Sequence, residues 1–225
     1  MAGSKVDLLR RSRIFAVLSD DDLAALVGLA VSRRFGAGEF VFWEGDEPRW
    51  FYMVAEGGVK IIKHSSQGRE FIVAFFGPGE MFGEVAVFEG KAYPASARTT
   101  APTELLGVER EAFMQFLSVR PQVALRIITV LGGRLREAQT RLRDLAGERV
   151  EQRITRLLVR LSARLGQTLP FTRQDIADMT GTTTETAIRI MSELGRRGII
   201  RSVRGRVTIV NAEKLRLLAE GHPRV

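Results

Sequence analysis

The 225-residue chain contains no cysteine and only two histidines, His64 and His222. The first absence removes disulfides, thiolate zinc sites and cysteine-ligated iron–sulfur clusters in one step. The second leaves no Ser/His/Asp, Cys/His or two-histidine metal arrangement to assemble, so the chain reads as a non-enzyme. No apolar run reaches the ~20 residues of a membrane span. The opening MAGSKVDLLRRSRIF lacks the apolar core of a signal peptide. These absences point to a soluble, cytoplasmic protein whose length suits two domains of ordinary size.

What is present is concentrated in Phe171 to Ile200, FTRQDIADMTGTTTETAIRIMSELGRRGII. A first helix is expected to start at Thr172, capped with Asp175 three residues on, and to bury Ile176, Ala177 and Met179. Gly181 supplies a turn. A second helix is expected to open with Thr182 and Glu185 in capping-box register, burying Ala187, Ile190, Met191 and Leu194. This is the pattern of a helix-turn-helix. Glu185 and Arg189 stand four apart on the second helix: a carboxylate accepts from a cytosine amino group, and a guanidinium grips guanine O6 and N7. Taken alone, the pair fits an i,i+4 salt bridge equally well. The surrounding caps and turn favour DNA.

Charge locates the same region. Residues 149–225 hold 15 Lys+Arg against 7 Asp+Glu, whereas residues 1–148 hold 19 of each. The whole excess of +8 therefore sits on the back third, where a polyanion is to be bound. Two alternating runs, Ile199 to Val203 and Arg206 to Val210, meet at Arg204-Gly205 as a hairpin wing. The candidate DNA contacts are Arg173, Thr182, Thr183, Thr184, Glu185 and Arg189 on the helices. Arg201, Arg204 and Arg206 reach phosphates from the wing.

From Arg33 to about Val108 the chain changes character. Short β-rich runs (Phe40 to Trp43, Trp50 to Ala55, Val59 to Lys63, Phe71 to Phe76, Glu104 to Val108) alternate with glycine-rich turns, as in an antiparallel sandwich or barrel. Asp20-Asp21-Asp22 followed by Leu23, Leu26, Val27 and Ala30 predicts a capped amphipathic helix ahead of it. A long helix is expected from about Pro121 to Gly147. Along it Ile128, Leu131, Leu135, Ala138, Leu142 and Leu145 fall at alternating steps of 3 and 4. Such a stripe suits a two-fold dimer, which pairs two DNA-reading helices; the alternative is a helix packed on its own barrel. Gly132-Gly133 interrupts it, as close helix approach or a flexible point would require. The expected organisation is α+β: a β-roll with helical trim over 1–120, a dimer helix over 121–147, and a winged helix-turn-helix over 148–225.

That order resembles the cyclic-AMP receptor protein/FNR family of bacterial transcription regulators over nearly the whole chain. The residues carrying the resemblance are Phe42-Trp43-Glu44-Gly45-Asp46, Gly79-Glu80-Met81-Phe82-Gly83-Glu84 with Val87-Phe88, and Glu185-Thr186 followed by Arg189. It implies a jelly roll of the cyclic-nucleotide-binding kind that senses an effector, a homodimer on palindromic double-stranded DNA, and RNA polymerase as partner. The effector region it implies comprises Gly83, Glu84, Val85, Ala95 and Ser96, with Ala138 and Gln139 on the long helix.

Departures from the family pattern narrow the effector. Members that bind cyclic AMP hold its phosphate with an Arg-Ser pair, and here Pro94-Ala95 stand at those positions. They also use a Thr-Ser pair on the long helix, where this chain has Ala138-Gln139. With neither a cation nor those hydroxyls, strong phosphate bonds are lost, so another effector is expected. The alternative is a ligand-free roll in a regulator controlled by its abundance. Glu84 then reads either as a pocket carboxylate awaiting a hydroxyl or amine, or as an acceptor for backbone N–H groups. The Tyr93-Pro94-Ala95-Ser96-Ala97 stretch resembles nitrosative-stress and anaerobic branches, some of which use haem. His64, or the soft side chains of Met53 and Met81, are the axial candidates, although a lone histidine beside Ser65-Ser66 also reads as a solvated turn residue. Thr184 replaces an arginine of the cyclic-AMP branch that reads guanine, implying a related but altered half-site.

Overall fold

The computed structural model describes residues 2–221 apart from Arg13, Ser66, Gln67 and Arg69; the side chains of residues 2–4, 11, 141 and 144–146 also lie outside the description. The chain divides into two compact units, Met1–Lys63 with Val73–Glu137, and His64–Ile72 with Ala138–Val225.

The first unit begins with helices α1 (Ala2–Arg11) and α2 (Asp20–Leu29), followed by strands β1 (Ala30–Phe35), β2 (Phe40–Phe42), β3 (Trp50–Glu56) and β4 (Val59–His64). β5 (Glu70–Phe76), β6 (Met81–Phe82), the short α3 (Glu84–Glu89), β7 (Ser96–Thr99), β8 (Thr103–Glu109) and α4 (Arg110–Ser118) complete the roll. Two four-stranded antiparallel sheets run in the orders β1-β8-β3-β6 and β2-β7-β4-β5. The expected helix after Asp20 forms, but Ser19 caps it, accepting from the Asp22 N–H, with the three aspartates in the first turn. Ala30, expected on that helix, instead opens β1. Sequence pattern alone does not single out β1, β6, β7, α3 or α4.

β3 shows why the roll has two cores. Successive strand side chains point to opposite faces, so Phe51 and Met53 enter one cluster with Phe15, Phe113 and Ile127, while Tyr52 and Val54 enter the other with Phe42, Phe82 and Tyr93. The second cluster is largely aromatic: Phe42 stacks on Tyr93 with centroids 3.7 Å apart, and Tyr52 lies 5.4 Å from Phe82. At the β3–β4 turn Gly57 has φ of +83°, and a Cβ there would meet Thr103 Oγ1 at 2.5 Å. Only glycine fits.

Helix α5 (Pro121–Gly147) matches its expected limits. Val123 and Ile127 are fully buried in the roll's first cluster, with Val130 and Leu131 packed against it. Of the expected stripe, only Leu131 joins this packing. Ile128, Leu135 and Leu142 remain 64%, 61% and 67% exposed, Ala138 is also exposed, and the Leu145 side chain lies outside the described residues. Helix α5 thus packs on its own roll through Val123, Ile127, Val130 and Leu131, while Ile128, Leu135 and Leu142 of the stripe stay outside that packing.

The second unit carries α6 (Val150–Leu165), β9 (Thr168–Leu169), α7 (Arg173–Thr180), α8 (Thr184–Arg196), β10 (Ile200–Val203), β11 (Arg206–Ile209) and α9 (Ala212–Ala219). Its small sheet runs β10-β11-β9. Ile154, Leu158, Phe171, Ile176, Leu194 and Val207 are all essentially inaccessible and form its interior. Arg153 donates to the carbonyls of Thr180 and Glu148, placing a cation at the C-terminal end of α7.

Candidate nucleic-acid interface and effector region

Helix α7 starts where the sequence indicates. Thr172 accepts from the Asp175 N–H at 3.0 Å, and Asp175 accepts from the Thr172 N–H at 2.9 Å, a complete capping box. Gly181 closes the helix at φ +63° and makes the turn. Met179, expected in the core, is only half-buried, and Asp178 is buried in its place. The Asp178 carboxylate accepts from Gln174 Nε2 at 2.8 Å, and Gln174 Oε1 accepts from the Thr184 hydroxyl. One amide side chain thereby joins α7 to the first residue of α8.

The cap of α8 is shifted by one residue from expectation. Thr183 accepts from the Thr186 N–H, whereas Thr182 is 8% exposed and its N–H donates to the Ala177 carbonyl. Thr182 is therefore part of the packed turn and not a surface contact. Glu185 sits in the first turn, where its own backbone N–H and the Thr183 hydroxyl hold its carboxyl below the usual range. Ala187, Ile190, Met191 and Leu194 are buried as expected. The i,i+4 salt bridge does not form: among the described residues the Arg189 side chain has no hydrogen-bond or ion-pair partner. Both side chains face outward: the Arg189 guanidinium is unengaged, and the Glu185 carboxylate, held by Thr183, has further acceptor positions.

The wing forms at β10 and β11, turning at Arg204-Gly205 with Gly205 at φ +72°. Arg201, Arg204 and Arg206 are exposed on it. Arg173, half-exposed at the start of α7, and Arg201 line one cleft of about 450 Å³ with Met191, Ser192 and Ser202. The polar face of α8 is therefore flanked by cations from two other elements, an arrangement suited to a groove bordered by phosphates. Ile188, which the helix-turn-helix pattern leaves without a role, lies 39% exposed between Glu185 and Arg189. An apolar residue off the buried stripe was the available signal.

In the roll, the first motif is a folded corner. Asp46 accepts from the Trp43 N–H at 2.8 Å, Gly45 N–H donates to Tyr93 O, and Tyr93 N–H donates to Asp46 O. The Tyr93 hydroxyl bonds the Trp50 carbonyl, and burial pushes its ionisation up. Gly83, at φ +81°, caps α3, where a Cβ would come within 3.3 Å of Tyr93. Glu84 is 2% exposed. Its carboxylate accepts from Arg134 of α5 at 2.5 Å, and the same guanidinium donates to the Met81 carbonyl and lies 4.6 Å from the Phe76 ring centre. Burial pushes the Glu84 carboxyl above the usual range, with Arg134 pulling it partly back. Sequence pattern gives Arg134 no role; its place four residues before Ala138 is the one hint.

The other expected effector residues are dispersed in character. Ala95 and Ser96 are buried, and the Ser96 hydroxyl accepts from the Glu44 N–H at 2.9 Å. Val85 is 41% exposed, away from the interior. Ala138 and Gln139 are exposed on the part of α5 that belongs to the second unit. The haem candidates do not fit: Met53 and Met81 are paired across β3 and β6 inside the packed core, and His64 is exposed at the end of β4. Among the described residues no group of histidine and carboxylate side chains is placed to hold a metal ion, and no helix is long and apolar enough to cross a membrane.

Residues 32–120 match the cyclic nucleotide-binding domain, and residues 152–218 match the Crp-like helix-turn-helix domain. The CRP-like cAMP-activated global transcriptional regulator of Mycobacterium tuberculosis is 30% identical over 217 residues, covering 93% of this chain and 97% of that protein. The cyclic AMP receptor protein of Thermus thermophilus is 30% identical over 214 residues, 95% of this chain and 99% of its own. The structure of FixK2 from Bradyrhizobium japonicum superposes with a TM-score of 0.76 at 26% identity, covering 84% of this chain and 96% of that one.

Proposed function

The chain belongs to the CRP/FNR family of DNA-binding transcription regulators, and from that premise we propose that it acts as a homodimer, reading a palindromic operator through α8 under control of an effector other than cyclic AMP. The observation carrying the DNA assignment is the outward-facing Glu185 and Arg189 on a capped helix, not joined to each other and flanked by Arg173 and Arg201. Glu185 reads a cytosine amino group and Arg189 a guanine, while Arg204 and Arg206 hold phosphates. The exposed Ile128, Leu135 and Leu142 supply the dimer seam, and two such subunits present two recognition helices to two half-sites. Functionally, residues 1–120 form the sensor roll, 121–147 the dimer helix, and 148–225 the DNA reader. The protein works in the cytoplasm beside RNA polymerase.

Both 30%-identical relatives are named for cyclic AMP. In this chain Pro94-Ala95 offer no charge and no hydroxyl for its phosphate, and Ala138-Gln139 replace the hydroxyl pair on the helix. A second reading, a ligand-independent regulator controlled by its abundance, is favoured by Glu84, whose carboxylate Arg134 already satisfies. Selection of bound sequences from a random duplex library tests the first half of the proposal; a palindrome containing a C·G step is expected. Thermal-shift measurements with cyclic AMP, other nucleotides and haem test the second half, since a ligand of the native state must raise Tm. A rise with cyclic AMP alone overturns the effector assignment.

A further inference from the structure

We infer that Ile188 is a specificity-determining residue that reads the 5-methyl group of a thymine beside the guanine contacted by Arg189, an inference that rests on the DNA-reading assignment of α8. Glu185, Ile188, Arg189 and Ser192 stand at i, i+3, i+4 and i+7, which places them on one stripe of the helix. That stripe is exposed at all four positions, opposite the buried Ala187, Ile190, Met191 and Leu194. Ile188 is its sole large apolar member. It takes no part in the core, and a β-branched residue is a poorer helix former than the alanine, lysine or glutamate that a merely solvated position would favour.

Thr184 sharpens the assignment. Its hydroxyl is committed to Gln174 Oε1, and Gln174 is itself tied to the buried Asp178. The donor that the first residue of α8 would offer to a base edge is thus spent inside the protein. Hydrogen-bonding groups on the stripe are Glu185 and Arg189 in its first turns and Ser192 at its far end, and the surface at its centre is the aliphatic side chain of Ile188. In the major groove the thymine methyl is the apolar feature that distinguishes base pairs. At 1.5 Å rise per residue, Ile188 is separated along the axis from Arg189 by less than one base-pair step of about 3.4 Å. The contacted thymine therefore belongs to the pair next to the guanine of Arg189.

The test replaces each thymine of the selected operator singly by deoxyuridine, which deletes the methyl and leaves every hydrogen-bonding group, and measures binding by wild type and Ile188→Ala. Ile188 is off the core stripe, so the variant is expected to keep its fold and its binding to non-specific DNA. Wild type is expected to lose about fourfold in affinity per half-site at one thymine position, the cost of exposing roughly one methyl-sized group. Ile188→Ala is expected to show no loss there. Deoxyuridine that is neutral at every thymine, a half-site with no thymine next to that guanine, or an equal loss in Ile188→Ala overturns the inference while leaving the DNA-reading assignment standing. Wild type that selects no sequence at all overturns that assignment and the inference with it.

Discussion

Arg134 of α5 donates to the buried carboxylate of Glu84, at the start of α3, and with its second amino group to the Met81 carbonyl of β6. One guanidinium thus ties the helix that carries the candidate dimer face to the Gly-Glu motif of the roll. Of the two roles the sequence left open for Glu84, the acceptor role is nearer, but with a side-chain cation as chief donor. A ligand hydroxyl or amine directed at Glu84 has to compete with that cation. Any such ligand would then act on α5 directly, because displacing Arg134 releases its hold on the helix.

Breaking this pair from one side is expected to be costly. Arg134→Met leaves Glu84 buried without its cation, and about 3 kcal/mol of roll stability is expected to go. Adding Glu84→Gln should restore most of it. Urea unfolding followed by tryptophan fluorescence measures this cleanly, because Trp43 and Trp50 both lie in the first unit. A double variant no more stable than Arg134→Met would contradict the pairing.

The same pair predicts a pH signature. Burial holds the Glu84 carboxyl above the ordinary range, so the folded state keeps this proton where the unfolded chain, near pH ~4.3, has lost it. Its contribution to stability therefore falls as pH rises from the unfolded value through the raised folded one. In Arg134→Met the cation's downward pull is gone, and the window extends further upward. The deficit of the variant relative to wild type should be largest at neutral pH and shrink toward pH ~4. A deficit independent of pH would exclude Glu84 as its origin.

The cap assignment at α8 separates two adjacent threonines. Thr183→Ala removes the acceptor for the Thr186 N–H and is expected to cost about 1 kcal/mol in the second unit. Serine at position 183 should retain most of that stability. Thr182→Ala costing a cap instead, with serine at 182 restoring it and Thr183→Ala silent, would move the helix start back to the register expected from sequence.

Local signals were legible and distant ones were not. The Thr172–Asp175 box and the Pro121–Gly147 limits depend on residues a few positions apart or on one sustained period. Three consecutive threonines offered three acceptors, and tertiary packing of the turn, not sequence, decided that Thr183 caps and Thr182 is buried. Asp178 is buried because Gln174 supplies a donor, a pairing invisible to a hydrophobicity pattern that favoured Met179. The Glu84–Arg134 pair joins residues 50 apart in sequence, so only the folded chain shows it.

The exposed apolar face proposed as the dimer seam of α5 yields a direct oligomer test. Leu135→Glu introduces a good helix former at a site 61% exposed in the isolated chain, so folding of one subunit should be untouched. In the proposed dimer the same charge would be buried, unpaired, against its two-fold mate. Sedimentation is expected to change from a two-chain to a one-chain mass, and affinity for a palindrome should fall to that of a single half-site. An unchanged two-chain mass would place the dimer seam elsewhere.

The arginines proposed to read a base and those proposed to hold phosphates differ in what their loss should cost. In the proposed complex Arg189→Ala removes a two-point grip on guanine and should lose about 1–3 kcal/mol per half-site while relaxing selectivity at that base pair. Arg204→Ala removes a charge from the wing turn and should weaken specific and non-specific duplexes alike, lowering the slope of log affinity against log salt by about 1 for each phosphate no longer neutralised. Binding isotherms on matched and single-mismatch operators at several salt concentrations separate the two behaviours. If Arg189→Ala bound the matched operator as tightly and as selectively as wild type, the unpaired guanidinium on α8 would have to serve something other than base recognition.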